Sequence, residues 1–356
     1  METNSVQSSQ SSRPTASQKS KQPKPSPTPV PIGLDVGYGF VKVVTPDSRI
    51  TFPSLVAPVN SSDLMLPFCQ PEELVAVQGQ RYLVGQPAIK STFRFRDQWD
   101  SWWYSPAFTA LLAKAKSVIP KGAIIVSGLP LHTYNSENAQ QINDIIGTHL
   151  HAKTTRTVAQ GLGAYFALAT SKPEYTNAKI ILVDIGSRTT ELIALSASRC
   201  IPQQCRGLVL GTQSLFSQLA DDLSKQYGRN TDPFEVEHAI IEHTPLVIRT
   251  TTLQPSDLIK HLTPLFEDFL TRIHQEMVSL WGIADLHNPT SVAPDFDHMV
   301  FTGGGARLLK NLILARYPHA VIPDQPQASN AYGFFLLAKS LIPKEEREHK
   351  DKGGQS

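Results

Sequence analysis

Cysteine is scarce, three in 356 residues, which excludes a scaffold built on disulfides. Cys69 stands alone, and Cys200 and Cys205 have no second cysteine pair to complete a tetrahedral zinc site. The expectation for all three is a small, buried, apolar side chain. Long apolar runs are missing too. None approaches the roughly 20 residues needed to cross a bilayer, and the polar N-terminus lacks a signal peptide's apolar stretch. The chain therefore reads as cytoplasmic, with no transmembrane segment. Excess charge is also lacking: 33 Lys and Arg face 31 Asp and Glu, a net charge of +2. Beyond position 31 the balance is 29 basic to 30 acidic residues. Such a balance argues against coating nucleic acid by bulk charge.

What is present is an ordinary globular composition, 40% hydrophobic and 18% charged. At roughly 150 residues per domain, the length predicts two domains or one bilobed body. Residues 1–30 are rich in Ser, Gln, Pro and Lys, a composition that cannot offset its ordering entropy, so a disordered tail is expected. Residues 343–356 read as a second, charged, flexible tail. Between them, β-branched runs alternate with helical periodicity, the pattern of an α/β fold. Strands are predicted at Ile32–Leu34, Val41–Val44, Ala123–Ser127, Lys179–Ile185, Glu191–Leu195 and His298–Thr302. Helices are predicted at Asn135–Leu150, Ser214–Tyr227, Leu258–Trp281 and Arg307–Ala315. The cluster from Trp99 to Tyr104 reads chiefly as packing at the start of a helix, and His238 and His243 as exposed helix histidines.

Two strand–turn–strand units lie about 150 residues apart in numbering and echo one another. The first is Asp35-Val-Gly37-Tyr38-Gly39-Phe-Val-Lys42. Its glycines let backbone N–H groups approach a ligand closely, and such groups form a concave anion site. Asp35 can hold a hydrated Mg²⁺ and Lys42 can neutralise phosphate oxygens. The second is Asp184-Ile-Gly186-Ser187-Arg188-Thr189, whose hydroxyls and N–H groups suit a terminal phosphate. Facing one another, the two turns would clamp a polyphosphate between two carboxylates. A third stretch, Thr302-Gly303-Gly304-Gly305-Ala306-Arg307, joins a strand to a helix and leaves bare backbone for a flat ring. The P-loop and Rossmann fingerprints are both absent.

These three stretches, in this order, resemble the phosphate-1, phosphate-2 and adenosine motifs of the actin superfamily. Within it, Phe52-Pro-Ser-Leu-Val-Ala-Pro58, Tyr82-Leu-Val-Gly-Gln-Pro-Ala88 and Ser127-Gly-Leu-Pro-Leu131 resemble the ParM/StbA plasmid-segregation actins. Val158–Tyr165 and Asn330–Phe334 resemble that group's two connecting helices. The resemblance implies an actin-like, ribonuclease H-like duplicated fold with two lobes around a nucleotide cleft. Domain I would comprise residues 31–163 plus a C-terminal helix near 331–342, and domain II residues 164–330. It implies ATP with Mg²⁺ as cofactors, GTP being an alternative. Asp35 and Asp184 would hold the metal. Gly37–Gly39, Lys42 and Gly186–Thr189 would hold the phosphates, with Gly303–Gly305 and Arg307 beside the base. Gln160 and Asp184 would position the attacking water, and a neutral Gln that cannot accept a proton implies slow hydrolysis.

The function implied is an ATPase that polymerises with itself into dynamic filaments and segregates plasmid DNA through a DNA-binding adaptor. The near-neutral body predicts no direct sequence-specific DNA contact by this chain. Two alternatives use the same motifs: a small-molecule kinase, for which no acceptor-binding set is evident, and a cell-shape or division cytoskeletal homologue. A chaperone-like ATPase is disfavoured, because no substrate-binding domain follows.

Overall fold

A five-stranded sheet forms the first half of the protein, in the order β3-β2-β1-β7-β8. Its strands are β1 (Pro31–Val36), β2 (Phe40–Val44), β3 (Arg49–Pro53), β7 (Ile124–Leu129) and β8 (Thr154–Ala159). A small antiparallel sheet of β4 (Val56–Val59), β5 (Leu74–Val77) and β6 (Gln80–Val84) projects from it. The structure, a computed structural model, describes residue 1 and residues 29–59, 74–97, 99–284 and 291–343. Cys69 and nearly all of both expected tails lie outside the described residues.

β1 runs antiparallel to β2 and parallel to β7, and its six residues are all buried. A strand in that position must be apolar on both faces. Ile32, Leu34 and Ile125 pack with α1 (Pro106–Ala115) and α2 (Ser136–Leu150), while Ile124 and Val126 face a helix from the C-terminus. Ser105 caps α1 by accepting from the Phe108 amide, and Asn135 caps α2 by accepting from that of Asn138. In the aromatic cluster the expectation divides: Trp102 and Trp103 are buried, whereas Trp99 and Tyr104 are exposed.

The second half repeats the design. Its sheet runs β11-β10-β9-β15, with β12 also on β10. These are β9 (Lys179–Ile185), β10 (Thr190–Ser196), β11 (Arg199–Cys200), β12 (Arg206–Leu208) and β15 (His298–Thr302). β9 pairs antiparallel with β10 and parallel with β15, as β1 does with β2 and β7. Ile180 and Leu182 face α3 (Leu162–Ser171), while Ile181, Val183 and Ile185 face α4 (Gln213–Tyr227), α5 (Pro233–Ile241) and α6 (Pro255–Trp281). Along α6, Leu258, Leu262, Phe266, Phe269, Ile273, Met277 and Trp281 form one buried stripe at helical spacing. A two-stranded ribbon, β13 (Leu246–Ile248) with β14 (Thr251–Leu253), precedes α6.

Three expectations are corrected. The helix after β15 does not start at Arg307: it begins at Gly303 as α7 (Gly303–Leu308), breaks at Leu309 and resumes as α8 (Lys310–Arg316). Cys200 is exposed and Cys205 half-buried, because they flank a 3₁₀ turn in the edge strand rather than lying in a core strand. His238 is half-buried on α5, and His243 stands beyond the helix end with φ of 53°.

The halves are joined by α3 and by α9 (Ser329–Ser340), the helices whose sequences carry the connecting-helix resemblance. They cross at glycines. A Cβ on Gly333 would lie 1.7 Å from the Gly163 carbonyl oxygen, and one on Gly33 would lie 1.9 Å from that of Ala331. Only glycine permits backbones to approach so closely.

Candidate functional site

The β1–β2 turn brings Asp35 and Lys42 opposite each other as cross-strand partners, with Lys42 Nζ 2.8 Å from Asp35 Oδ2. The Gly37 amide donates to the Phe40 carbonyl at 3.2 Å, closing the turn. Ser54 buttresses it from β3's end, its hydroxyl donating to the Gly37 carbonyl and its amide to that of Gly39.

The β9–β10 turn is built alike. The Gly186 amide donates to the Thr189 carbonyl at 2.8 Å, and the amides of Thr212 and Gln213 donate to the carbonyls of Gly186 and Ser187. Asp184 is the penultimate residue of β9 and is buried. Burial pushes its pKa up to about 6, with the neighbouring Asp35 charge adding to the effect and a hydrogen bond from Asn330 opposing it. Asn330 Nδ2 donates to Asp184 Oδ2 at 2.6 Å, while its Oδ1 accepts from the amides of Gly161 and Ala164. One side chain on α9 thus ties the start of α3 to this carboxylate.

The two turns face each other at contact distance. A Cβ on Gly39 would lie 2.8 Å from Ser187 Cβ, and Ser187 Oγ is buried without a hydrogen-bond partner among the described residues. That orphaned hydroxyl, the turn amides and the two carboxylates are a hard-oxygen and N–H donor set suited to phosphate and Mg²⁺. No group of three or more His, Cys, Asp or Glu among the described residues could hold a metal by itself. Two carboxylates fit Mg²⁺, which keeps waters and takes substrate phosphate oxygens.

Gln160 sits after β8, its amide donating to the Leu129 carbonyl and its Nε2 to Asp35 Oδ1 at 3.2 Å. The three glycines play different parts. Gly303, with φ of 85°, lies where a Cβ would be 2.4 Å from Asp184 Oδ1, and Gly305 where one would be 2.2 Å from Ile185 Cγ2. Gly304 alone faces open space, with Gln327 3.8 Å away. The expected bare backbone is therefore one residue wide.

All the expected site residues line one cavity of about 280 Å³. Its far end is walled by Ile240, Ile241, His243, Ile259 and Leu308, an apolar set with one imidazole. Sequence reading missed this wall, together with Asn330, Thr212, Glu237 and Gln327. The wall residues lie on α6, α7 and α5 or, for His243, just beyond α5, with no short motif of their own; Asn330 opens the connecting-helix stretch and carried no predicted role. A second chamber of about 590 Å³ adjoins the first, sharing Phe40, Glu237, Ile241, Arg307 and Gln327.

Charged pairs cross the cleft. Arg94 pairs with Asp232, and Arg96 Nη1 lies 2.6 Å from Glu237 Oε2, both side chains of that second pair being buried. Arg188 also crosses it, over the Tyr38 ring at 4.9 Å and 2.8 Å from Asp100 Oδ1, which also meets His132. Tyr38 itself stacks on Trp102. Glu191, the cross-strand partner of Asp184, is buried with Oε2 accepting from the Leu131 amide. Burial raises its pKa to about 8.

Comparison with known proteins covers both halves. The family model described as actin like proteins N terminal domain matches residues 33–162. The one described as archaeal actin homologue MreB-like, C-terminal, matches residues 182–314. No curated relative matches the chain in sequence. Among solved structures, a 15-stranded ParM filament from Clostridium botulinum superposes with a TM-score of 0.70 at 20% identity, covering 88% of this chain and 100% of that one. An archaeal actin homologue in complex with ADP gives a TM-score of 0.67 at 20% identity, covering 87% and 99%. MreB5 of Spiroplasma citri bound to ADP gives 0.65 at 14% identity, covering 91% and 99%. Likeness at these identities concerns the fold. No helix among the described residues is long and apolar enough to cross a membrane.

Proposed function

The chain belongs to the actin superfamily, both halves matching models of actin-like domains, and we propose that it is an ATP-driven filament protein. The observation that carries this reading is the pair of opposed turns, in contact at Gly39 and Ser187, with Asp35 and Asp184 both lining the cavity between them. The ADP in two of the structural neighbours supports the nucleotide. The filament of another supports self-assembly.

In this reading Lys42 and the amides of Gly37–Gly39 hold the inner phosphates, and Gly186–Thr189 with Ser187 Oγ hold the terminal one. Asp35 and Asp184 hold Mg²⁺, which when bound offsets phosphate charge. Gln160 and Asp184 orient the attacking water. Gln160 has no lone pair basic enough to take the water's proton, so turnover is slow. The base lies against Gly304 and the apolar wall, with Arg307 at the rim; the wall offers mainly packing, which supports ATP with some tolerance of GTP. The lobes are residues 31–163 with 331–342, and residues 164–330. Filament growth moves plasmid DNA through an adaptor, consistent with the near-neutral body.

Light scattering and phosphate release, followed together after adding Mg-ATP, test this. Scattering should rise above a critical concentration, with phosphate release lagging. Asp184→Asn should slow release by at least about 100-fold while ATP-induced scattering persists. Flat scattering, with turnover appearing only when a small-molecule acceptor is supplied, would overturn the filament in favour of a kinase.

A further inference from the structure

Away from the cleft, an interruption in the edge strand of the second sheet brings two thiols together. β11 ends at Cys200, a single 3₁₀ turn over Pro202–Gln204 loops out of the edge, and Cys205 precedes β12, which continues along β10 in the same direction as β11. The sulfurs stand 3.3 Å apart. Cys200 is exposed, and Cys205 is half-buried. The main chain positions Cys205: the Ala194 amide donates to its sulfur at 3.4 Å, and the Ile201 carbonyl lies 3.2 Å from it.

Those contacts set the chemistry. The hydrogen bond from Cys200, helped by the Ala194 amide, outweighs burial and brings the Cys205 thiol down to about 7. Cys200, as the donor, is pushed up. The thiolate is the nucleophile in exchange with disulfides, so a lowered thiol beside a resolving thiol is a reactive pair.

We propose that Cys200 and Cys205 are a redox modification site, closing to a reversible intramolecular disulfide by exchange with a low-molecular-weight disulfide. The Cys205 thiolate attacks one sulfur of the small disulfide, breaking its S–S bond and releasing one thiolate, which takes up the proton that Cys205 lost. Cys200, deprotonated, then attacks the Cys205 sulfur, releasing the second small thiol. The protein pair loses two electrons and two protons, and the small disulfide becomes two thiols. The bond would clamp the loop in the edge strand whose next residues back the second phosphate turn: Gly207 lies against the Glu191 carboxylate, and Leu208 pairs with Thr190. This inference does not depend on the nucleotide reading.

The test uses the full-length reduced chain, incubated with glutathione disulfide, quenched by alkylation and mapped by mass spectrometry. The expected result is a Cys200–Cys205 cross-link within a monomeric chain, reversed by dithiothreitol, with Cys69 outside it. Cys200→Ser should instead retain glutathione on Cys205. Alkylation of both cysteines under conditions that modify Cys69 would overturn the proposal. So would a cross-link that joins two chains or includes Cys69.

Discussion

Glu191 is a buried carboxylate, and its protonation carries a stability signature. Its folded pKa of about 8 lies above the ordinary 4.5, so the folded state retains a proton that the unfolded state loses. The contribution is neutral below about 4.5, becomes increasingly unfavourable between there and about 8, and is constant above. Glu191→Gln keeps the acceptor for the Leu131 amide and removes the titration. Urea unfolding of the nucleotide-free variant should therefore show stability equal to the parent's at pH 4 and greater at pH 8, by a few kcal/mol. A parallel pH dependence in parent and variant would show that Glu191 does not titrate in this range. The residue was read from sequence only as the start of a strand. A charged side chain opening an apolar run looks like a solvated strand end until the Leu131 segment is folded over it.

Among the elements, the glycine contacts of α9 and α7 make opposite predictions for the same substitution. Gly333→Ala would drive a Cβ into the Gly163 carbonyl, backbone that cannot swing aside, and should cost about 3 kcal/mol or more. The measurement is a lowered urea midpoint with unchanged slope. Gly304→Ala meets nothing closer than Gln327 Cγ at 3.8 Å, so the fold should keep its midpoint. Its methyl group enters the cavity where the base is proposed to lie, and fluorescent-nucleotide titration should show affinity weakened several-fold. The strands were legible because β9 and β15 are continuous apolar runs bounded by turn signals. The start of α7 was not. Glycine disfavours a helix interior by about 1 kcal/mol each, yet tertiary packing on Ile185 and Asp184 admits no side chain at Gly303 or Gly305 and carries the chain into helix regardless.

For the whole molecule, Arg94 and Arg96 from the first half grip Asp232 and Glu237 on and beside α5. Arg96 and Glu237 are both buried, so removing one partner leaves an uncompensated charge. Arg96→Met should destabilise by about 3–5 kcal/mol. Adding Glu237→Gln should recover much of that loss, a coupling that a double-mutant cycle in urea measures directly. Additive effects would mean that the pair does not act as one unit across the cleft.

By itself the sequence determined the duplicated strand–turn–strand units, because Asp, Gly and Lys at those spacings permit few other backbones. It also determined the alternation of buried strands and amphipathic helices, since apolar periodicity is a local property. The tertiary structure alone decided which side chains meet. Asn330 reaches Asp184, separated by 146 positions, because α9 crosses α3 on glycine. The apolar wall converges from α5, α6 and α7, and Cys200 finds Cys205 because one 3₁₀ turn loops out between two strands that share the edge of β10. Contacts between distant segments depend on how elements pack, and that packing follows from burying apolar faces together rather than from any single stretch of residues.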